Sequence, residues 1–290
     1  MIQSLIESDP QRAKKSLGQH FLFDLNLTRK IAQQAGDLTG RTVIEIGPGP
    51  GGLTKALLET PLANLILIEK DSRFAAEWAV KADVEARLHV FEADALEVAE
   101  ETVLKSMGLA QPALIIANLP YNVGTPLLLK WLKAEAWRGT MALMFQLEVA
   151  ERICAGPGSA AYGRLSVIAQ SRSSPKLVMK IPASAFTPPP KVESAVVRFD
   201  VLPKEQLFVD WRSLEMVTAA AFGQRRKMLR QSLKALCSSI ELPVSELLTR
   251  ANLDPTARPE TISPKQFQVL ASAFASAAAH IPAARSATPV

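Results

Sequence analysis

Residues 42–52 read Thr-Val-Ile-Glu-Ile-Gly-Pro-Gly-Pro-Gly-Gly, and Leu53–Leu58 then opens a helical pattern. A short β-branched run that ends in glycines and passes into a helix is the opening strand, loop and helix of a doubly wound α/β fold. Gly47, Gly49 and Gly52 have the spacing G-x-G-x-x-G. Glycines there allow a tight turn and close approach of the backbone to a ligand.

The alternation continues outward from this loop. Leu65–Ile68 reads as a second strand ending at Glu69-Lys70-Asp71, and residues 72–82 as a helix. His89–Phe91 is a short strand ending at Glu92-Ala93-Asp94. Leu114–Ala117 and Met141–Gln146 are strands, each followed by a helix, at Thr125–Lys133 and at residues 147–155. Upstream, residues 25–35 are helical. Strands alternating with helices predict a doubly wound, Rossmann-like sheet. Pro175–Pro182 and Ser194–Val201 are later strands, separated by the stiff loop Phe186-Thr187-Pro188-Pro189-Pro190-Lys191. Composition changes at Pro203, and from about 205 to 275 the pattern is helical. The predicted division is an α/β domain over 1–203, whose residues 1–40 form a contacting segment, and a small all-helical domain over 204–275. The Ala-, Ser- and Pro-rich stretch 276–290 is predicted to be a disordered tail.

A chain of 290 residues with 48% hydrophobic and 21% charged residues is ordinary for a soluble globular protein. A net charge of +5 permits a polyanionic partner without requiring one. Two distant cysteines, Cys154 and Cys237, fit a reducing, cytoplasmic setting rather than a disulfide framework. Three scattered histidines (His20, His89, His280) predict no metal centre. No stretch approaches the roughly 18 apolar residues of a membrane helix.

The glycine loop and Glu69, placed for a ribose hydroxyl pair, suit an NAD enzyme as well as a methyltransferase. Asp94 shifts the balance, because it ends the next strand and can accept a bond from an adenine amine. Glycine loop, Glu69 and Asp94 in order outline a pocket for S-adenosylmethionine. The run Ala113-Leu-Ile-Ile-Ala-Asn118 then ends in Leu119-Pro120-Tyr121-Asn122. An adenine N6 amine is a poor nucleophile until it loses conjugation and develops positive charge. Acceptors on its hydrogens favour that charge in the transition state. Asn118 offers a side-chain oxygen, Leu119 a carbonyl fixed by Pro120, and Tyr121 a ring to stack on. Phe186 is the expected second face of a base clamp.

These motifs resemble the KsgA/RsmA family of small-subunit ribosomal RNA adenine dimethyltransferases, from about residue 12 to 275. The resemblance rests on Ser16-Leu-Gly-Gln-His-Phe-Leu22, Ile44-Glu-Ile-Gly-Pro-Gly49 and Asn118-Leu-Pro-Tyr-Asn122. Ala161-Tyr-Gly-Arg-Leu-Ser166 and Phe186-Thr-Pro-Pro-Pro-Lys-Val192 support it. It implies a Rossmann-like methyltransferase domain with a helical C-terminal domain. It also implies S-adenosylmethionine as cofactor and two methyl transfers to N6 of each of two adjacent adenines. Those adenines lie in a hairpin loop near the 3′ end of 16S rRNA in the small (30S) subunit. The implied cofactor contacts are His20, where members often carry Asn, with Leu22, Gly47, Glu69, Asp94 and Asn118.

Phe222–Lys234 is predicted to be one amphipathic helix whose basic face (Arg225, Arg226, Lys227, Arg230) meets RNA phosphates. Arg12, Lys14 and Lys15 either extend the same footprint or form a disordered basic end. The protein is expected to act as a monomer. Three other readings stay open: a large-subunit adenine methyltransferase of the erythromycin-resistance type, a non-catalytic ribosome assembly factor, and an NAD oxidoreductase. The last leaves Asn118–Tyr121 and the basic segment unexplained.

Overall fold

The computed structural model describes residues 19–134, 136–208 and 210–279. Arg12, Lys14, Lys15 and Ser16–Gly18 lie outside the described residues, as do 280–290 of the expected tail.

The chain opens with β1 (Phe21–Leu22) and α1 (Leu25–Ala32), capped by Asp24, whose carboxylate accepts from the amides of Asn26 and Leu27. There follow β2 (Thr42–Ile46), α2 (Gly52–Leu58), β3 (Asn64–Glu69), α3 (Ser72–Ala82) and β4 (Leu88–Glu92). Next come α4 (Glu100–Ser106), β5 (Ala113–Asn118), α5 (Gly124–Lys133), β6 (Arg138–Gln146) and α6 (Leu147–Cys154). After α7 (Arg164–Arg172) the chain forms β7 (Ser173–Ile181), β8 (Phe186–Thr187) and β9 (Ser194–Val201).

Seven strands form one sheet in the order β4-β3-β2-β5-β6-β9-β7. The first five are parallel, and β9 runs antiparallel to β6. Every residue of β2 is buried, as are the first five of β5. Helices cover both faces of a parallel sheet, so its strands read as continuous apolar runs. From β2 the chain winds outward through β3 to β4, then returns to β5 on the other side of β2. The strand order therefore reverses between β2 and β5, and open α/β sheets bind ligands beyond the carboxyl ends of strands at such a point.

The contacts divide the chain into two units. One is residues 1–150 with 174–201, and the other is 151–173 with 202–290. The expected single boundary at 203 thus misses an earlier excursion. Tyr162 and Val167 bury their side chains in the helical cluster with Leu214, Val217, Phe267 and Leu270. Past residue 203 the described residues contain only helices: α8 (Trp211–Gly223), α9 (Leu229–Ser232), α10 (Lys234–Ser238), α11 (Val244–Arg250) and α12 (Pro264–Ala279), with two short 3₁₀ turns. The last helix includes residues 276–279, which the sequence reading assigned to the tail. Phe267, Leu270, Ala271 and Phe274 bury its inner face.

The predicted helix over 222–234 is broken. α8 stops at Gly223, Gln224 leaves helical geometry, and Met228 is extended before α9 begins. At the break the amides of Leu229 and Arg230 bond to the carbonyls of Ala257 and Pro255 and not to the preceding turn. Leu229 and Leu233 are buried.

Candidate active site

The loop after β2 is wound by three residues with positive φ, Gly47 (64°), Gly49 (51°) and Gly51 (90°). Gly51 was outside the expected motif. A Cβ there would fall 2.0 Å from the Trp78 ring, whose Nε1 donates to the Gly49 carbonyl at 2.9 Å. Gly52 is required for another reason, because Leu22 O lies where its Cβ would be.

Glu69, at the end of β3, is buried and grips this loop. Its Oε2 accepts from Gly49 N at 3.0 Å and its Oε1 from Asp71 N at 2.8 Å. Burial pushes its carboxyl up, and those two amides oppose the rise. Asp94 is held just past β4. Its Oδ2 pairs with Lys70 Nζ at 2.6 Å and its Oδ1 accepts from Leu96 N at 2.9 Å. The Lys70 bond, then the amide, hold the Asp94 carboxyl below its ordinary value, so it is an anion. A cavity of about 120 Å³ opens beside these groups, bordered by Gly47, Gly49, Glu69 and Asp94, with Phe21, Ile68, Ala95 and Leu127 as apolar walls. Two carboxylates, one of them paired with Lys70, thus stand beside a cavity with apolar walls.

A second cavity adjoins it, bordered by His20, Leu22, Glu45, Asn118, Leu119 and Tyr121. Gln19, Phe21, Gly47 and Pro120 line both cavities. Asn118 Nδ2 donates to the His20 carbonyl at 3.0 Å. That bond fixes the amide's orientation, because a carbonyl can only accept. Oδ1 is left as the side chain's acceptor for the cavity. The amides of Val123 and Gly124 both bond to the Pro120 carbonyl, which locks the turn as α5 begins. The Tyr121 hydroxyl is 2.7 Å from Ser194 Oγ on β9, and burial raises its phenol, so it stays neutral.

His20 contributes its ring as well as its backbone. Nδ1 donates to the Pro188 carbonyl at 2.8 Å, and the ring lies 5.5 Å from that of Tyr121. His20 thereby ties the N-terminal segment, the Asn118 turn and the proline loop together. Phe186 is placed differently from expectation. It is 3% exposed, pairs with Leu22 in the short β1–β8 ladder, and packs in the hydrophobic core. Its ring borders neither cavity, because pairing with β1 turns it inward. Sequence reading also passed over Glu45. The signal was available, as a carboxylate inside an apolar strand that is 2% exposed calls for an explanation.

In the helical unit Arg225, Arg226, Lys227 and Arg230 are exposed, on the 224–228 turn and the start of α9. Arg225 donates to the Ala160 carbonyl at 2.9 Å, which pins this turn to the Gly-rich loop before α7. Among the described residues no group of three or more His, Cys, Asp or Glu is placed to hold a metal ion, and no helix is long and apolar enough to cross a membrane.

A family model described as ribosomal RNA adenine dimethylase matches residues 10–270. A protein of Maricaulis maris named ribosomal RNA small subunit methyltransferase A is 51% identical over 278 residues, 95% of each chain. One of the same name from Caulobacter vibrioides is 53% identical over 262 residues, 90% of this chain and 97% of that one. The solved dimethyladenosine transferase of Plasmodium falciparum superposes with a TM-score of 0.74 over 89% of this chain and 98% of its own. At 24% identity, that likeness bears on the fold alone.

Proposed function

The chain belongs to the ribosomal RNA adenine dimethylase family, and we propose that it dimethylates N6 of two adjacent adenines near the 3′ end of 16S rRNA. The observation that carries this reading is the pair of adjoining cavities at the β2/β5 reversal. One sets Glu69 and Asp94 beside apolar walls, which supports an adenosine as its occupant, and the other has the Asn118–Tyr121 turn in its wall. S-adenosylmethionine is the proposed cofactor, and when bound it supplies an activated methyl group. Gly47, Gly49, Glu69, Asp94 and Leu22 would hold it.

The chain's own residues prepare the acceptor. Asn118 Oδ1 and the Leu119 carbonyl accept from the amine's hydrogens and favour charge that develops on nitrogen. Tyr121, anchored at its hydroxyl, offers a ring face to the base. With the cofactor bound, N6 would take up its activated methyl group while these acceptors hold the amine. The N6 cation then passes its proton to water. Residues Arg225, Arg226, Lys227 and Arg230 are the proposed phosphate contacts, with 16S rRNA in the small subunit as partner and a cytoplasmic site of action. Relatives of about 50% identity carry small-subunit names, which favours this reading over the erythromycin-resistance type.

Two experiments test the proposal. Labelled S-adenosylmethionine is incubated with unmethylated small-subunit particles and, in parallel, with large-subunit rRNA, followed by nucleoside analysis. N6,N6-dimethyladenosine at two adjacent small-subunit positions is expected. Product on large-subunit RNA alone overturns the substrate assignment, and RNA binding with no product on either favours an assembly factor. In the second, Arg225, Arg226 and Lys227 are changed to Gln and RNA affinity is followed between about 50 and 200 mM salt. Each lost phosphate contact flattens the log–log slope by about 0.7–0.9. A drop corresponding to about two contacts is expected, because Arg225 is partly engaged with Ala160. An unchanged slope removes the patch from the interface.

A further inference from the structure

Lys130 lies on α5 and borders neither cavity. Its ammonium donates to the carbonyls of Ala95 at 2.6 Å and Val98 at 2.5 Å, and to Glu100 Oε1 at 2.8 Å. An ammonium has three donors, and all three are spent here. Glu100 begins α4 and is 3% exposed. The same Oε1 takes a second bond at 2.7 Å from Nε1 of the buried Trp131, the residue after Lys130. The carboxylate thus holds the lysine head in place and is itself held.

The segment that Lys130 grips is the turn that carries Asp94. Its amides converge on that residue, with Leu96 N donating to Asp94 Oδ1 at 2.9 Å and Glu97 N to the Asp94 carbonyl at 2.9 Å. Two of its carbonyls, those of Ala95 and Val98, go to Lys130. Leu96 is exposed, so polar bonds carry much of the turn's definition. Asp94 and Ala95 border the cavity beside Glu69, and so does Leu127, one helical turn before Lys130 on α5. That helix starts at Gly124, directly after the Asn118–Asn122 turn. One ammonium therefore joins two walls of the same cavity. We propose that Lys130 is a positioning residue, which fastens the Asp94 turn to α5 and so fixes where Asp94 meets the exocyclic amine of the cofactor's adenine. This inference rests on S-adenosylmethionine being the cofactor and on Asp94 facing its adenine.

The test is equilibrium binding of two probes, S-adenosylhomocysteine and its analogue whose purine lacks the 6-amino group. The ratio of the two affinities reads the Asp94 contact. Partial loss of fold lowers both affinities and leaves the ratio unmoved. The wild type should prefer S-adenosylhomocysteine by about tenfold, the worth of one hydrogen bond to a charged group. Removing Lys130 alone would leave Glu100 a buried carboxylate without its cation, which endangers the fold. The variant is therefore Lys130→Met combined with Glu100→Gln, which leaves no charge stranded and keeps an oxygen to accept from Trp131. Asp94 retains its bond to Lys70 in this variant, so its charge stays and its place changes. The preference should fall to about threefold or less. In methyl-transfer assays its KM for S-adenosylmethionine should rise by more than its kcat falls.

Glu100→Gln alone keeps the two carbonyl bonds of Lys130 and should keep most of the preference. An equal loss in that single variant assigns the effect to the ion pair and overturns the carbonyl clamp. Full wild-type preference in the double variant overturns the proposal and leaves the cofactor reading intact. A wild type that binds both probes alike overturns the placement of Asp94 and the proposal with it, and one that binds neither overturns the cofactor reading as well.

Discussion

Asn118→Ala should lose methyl transfer by on the order of 100-fold or more while still binding RNA. The size follows from when the interaction is made. The N6 lone pair is delocalised in the ground state, so Asn118 Oδ1 gains most as charge builds on nitrogen, and its loss falls on kcat rather than on RNA affinity. The direction of the amide is built in, because Nδ2 is spent on the His20 carbonyl. Asn118→Asp sharpens the test. It preserves an oxygen acceptor but sets a carboxylate against that carbonyl, so it too should be slow despite its extra negative charge. Single-turnover rates at saturating cofactor separate chemistry from binding. Near-normal turnover in the alanine variant would remove Asn118 from the reaction and leave the Leu119 carbonyl as the candidate acceptor.

What could be read from sequence followed the strength of local periodicity. β2, β3 and β5 are apolar runs that end at glycine or polar residues, and their positions agree with the structure to within one residue. Asn118 and Glu69 fell at strand ends and Asp94 just beyond one, because a residue that must be polar at a sheet edge breaks an apolar run visibly. Less was legible where tertiary contact decides. The 222–234 segment has a helical pattern, but the carbonyls of Ala257 and Pro255 capture the amides of Leu229 and Arg230, and nothing local announces that. Phe186 looked available on a proline-braced loop, yet pairing with Leu22 across more than 160 positions turns it into the core. The helix at 164–172 passed unread because its apolar face is weak, and its Val167 packs on helices that follow residue 210.

Gly52→Ala is expected to be among the most damaging single methyl groups in the α/β unit. Gly52 begins α2 and does not have the positive φ of Gly47, Gly49 and Gly51. Backbone preference therefore does not require glycine there, and alanine is the better helix former by about 1 kcal/mol. Space decides against it. A Cβ would stand 1.8 Å from Leu22 O and 3.0 Å from Leu22 C, both backbone atoms. No rotamer change relieves such a contact, so β1 must move off the glycine loop. Phe21, which walls both cavities, and the His20 carbonyl that orients Asn118 move with it. Overpacking of this kind costs about 1–3 kcal/mol or more, against the small helical gain. The expected result is a lower melting temperature and S-adenosylhomocysteine affinity reduced by about 10-fold or more. Gly223→Ala is the control, since its Cβ meets nothing within 4 Å and its φ is not positive. Wild-type melting and affinity in Gly52→Ala would mean that β1 yields without cost, and that the seating of Leu22 against α2 does not shape the cofactor site.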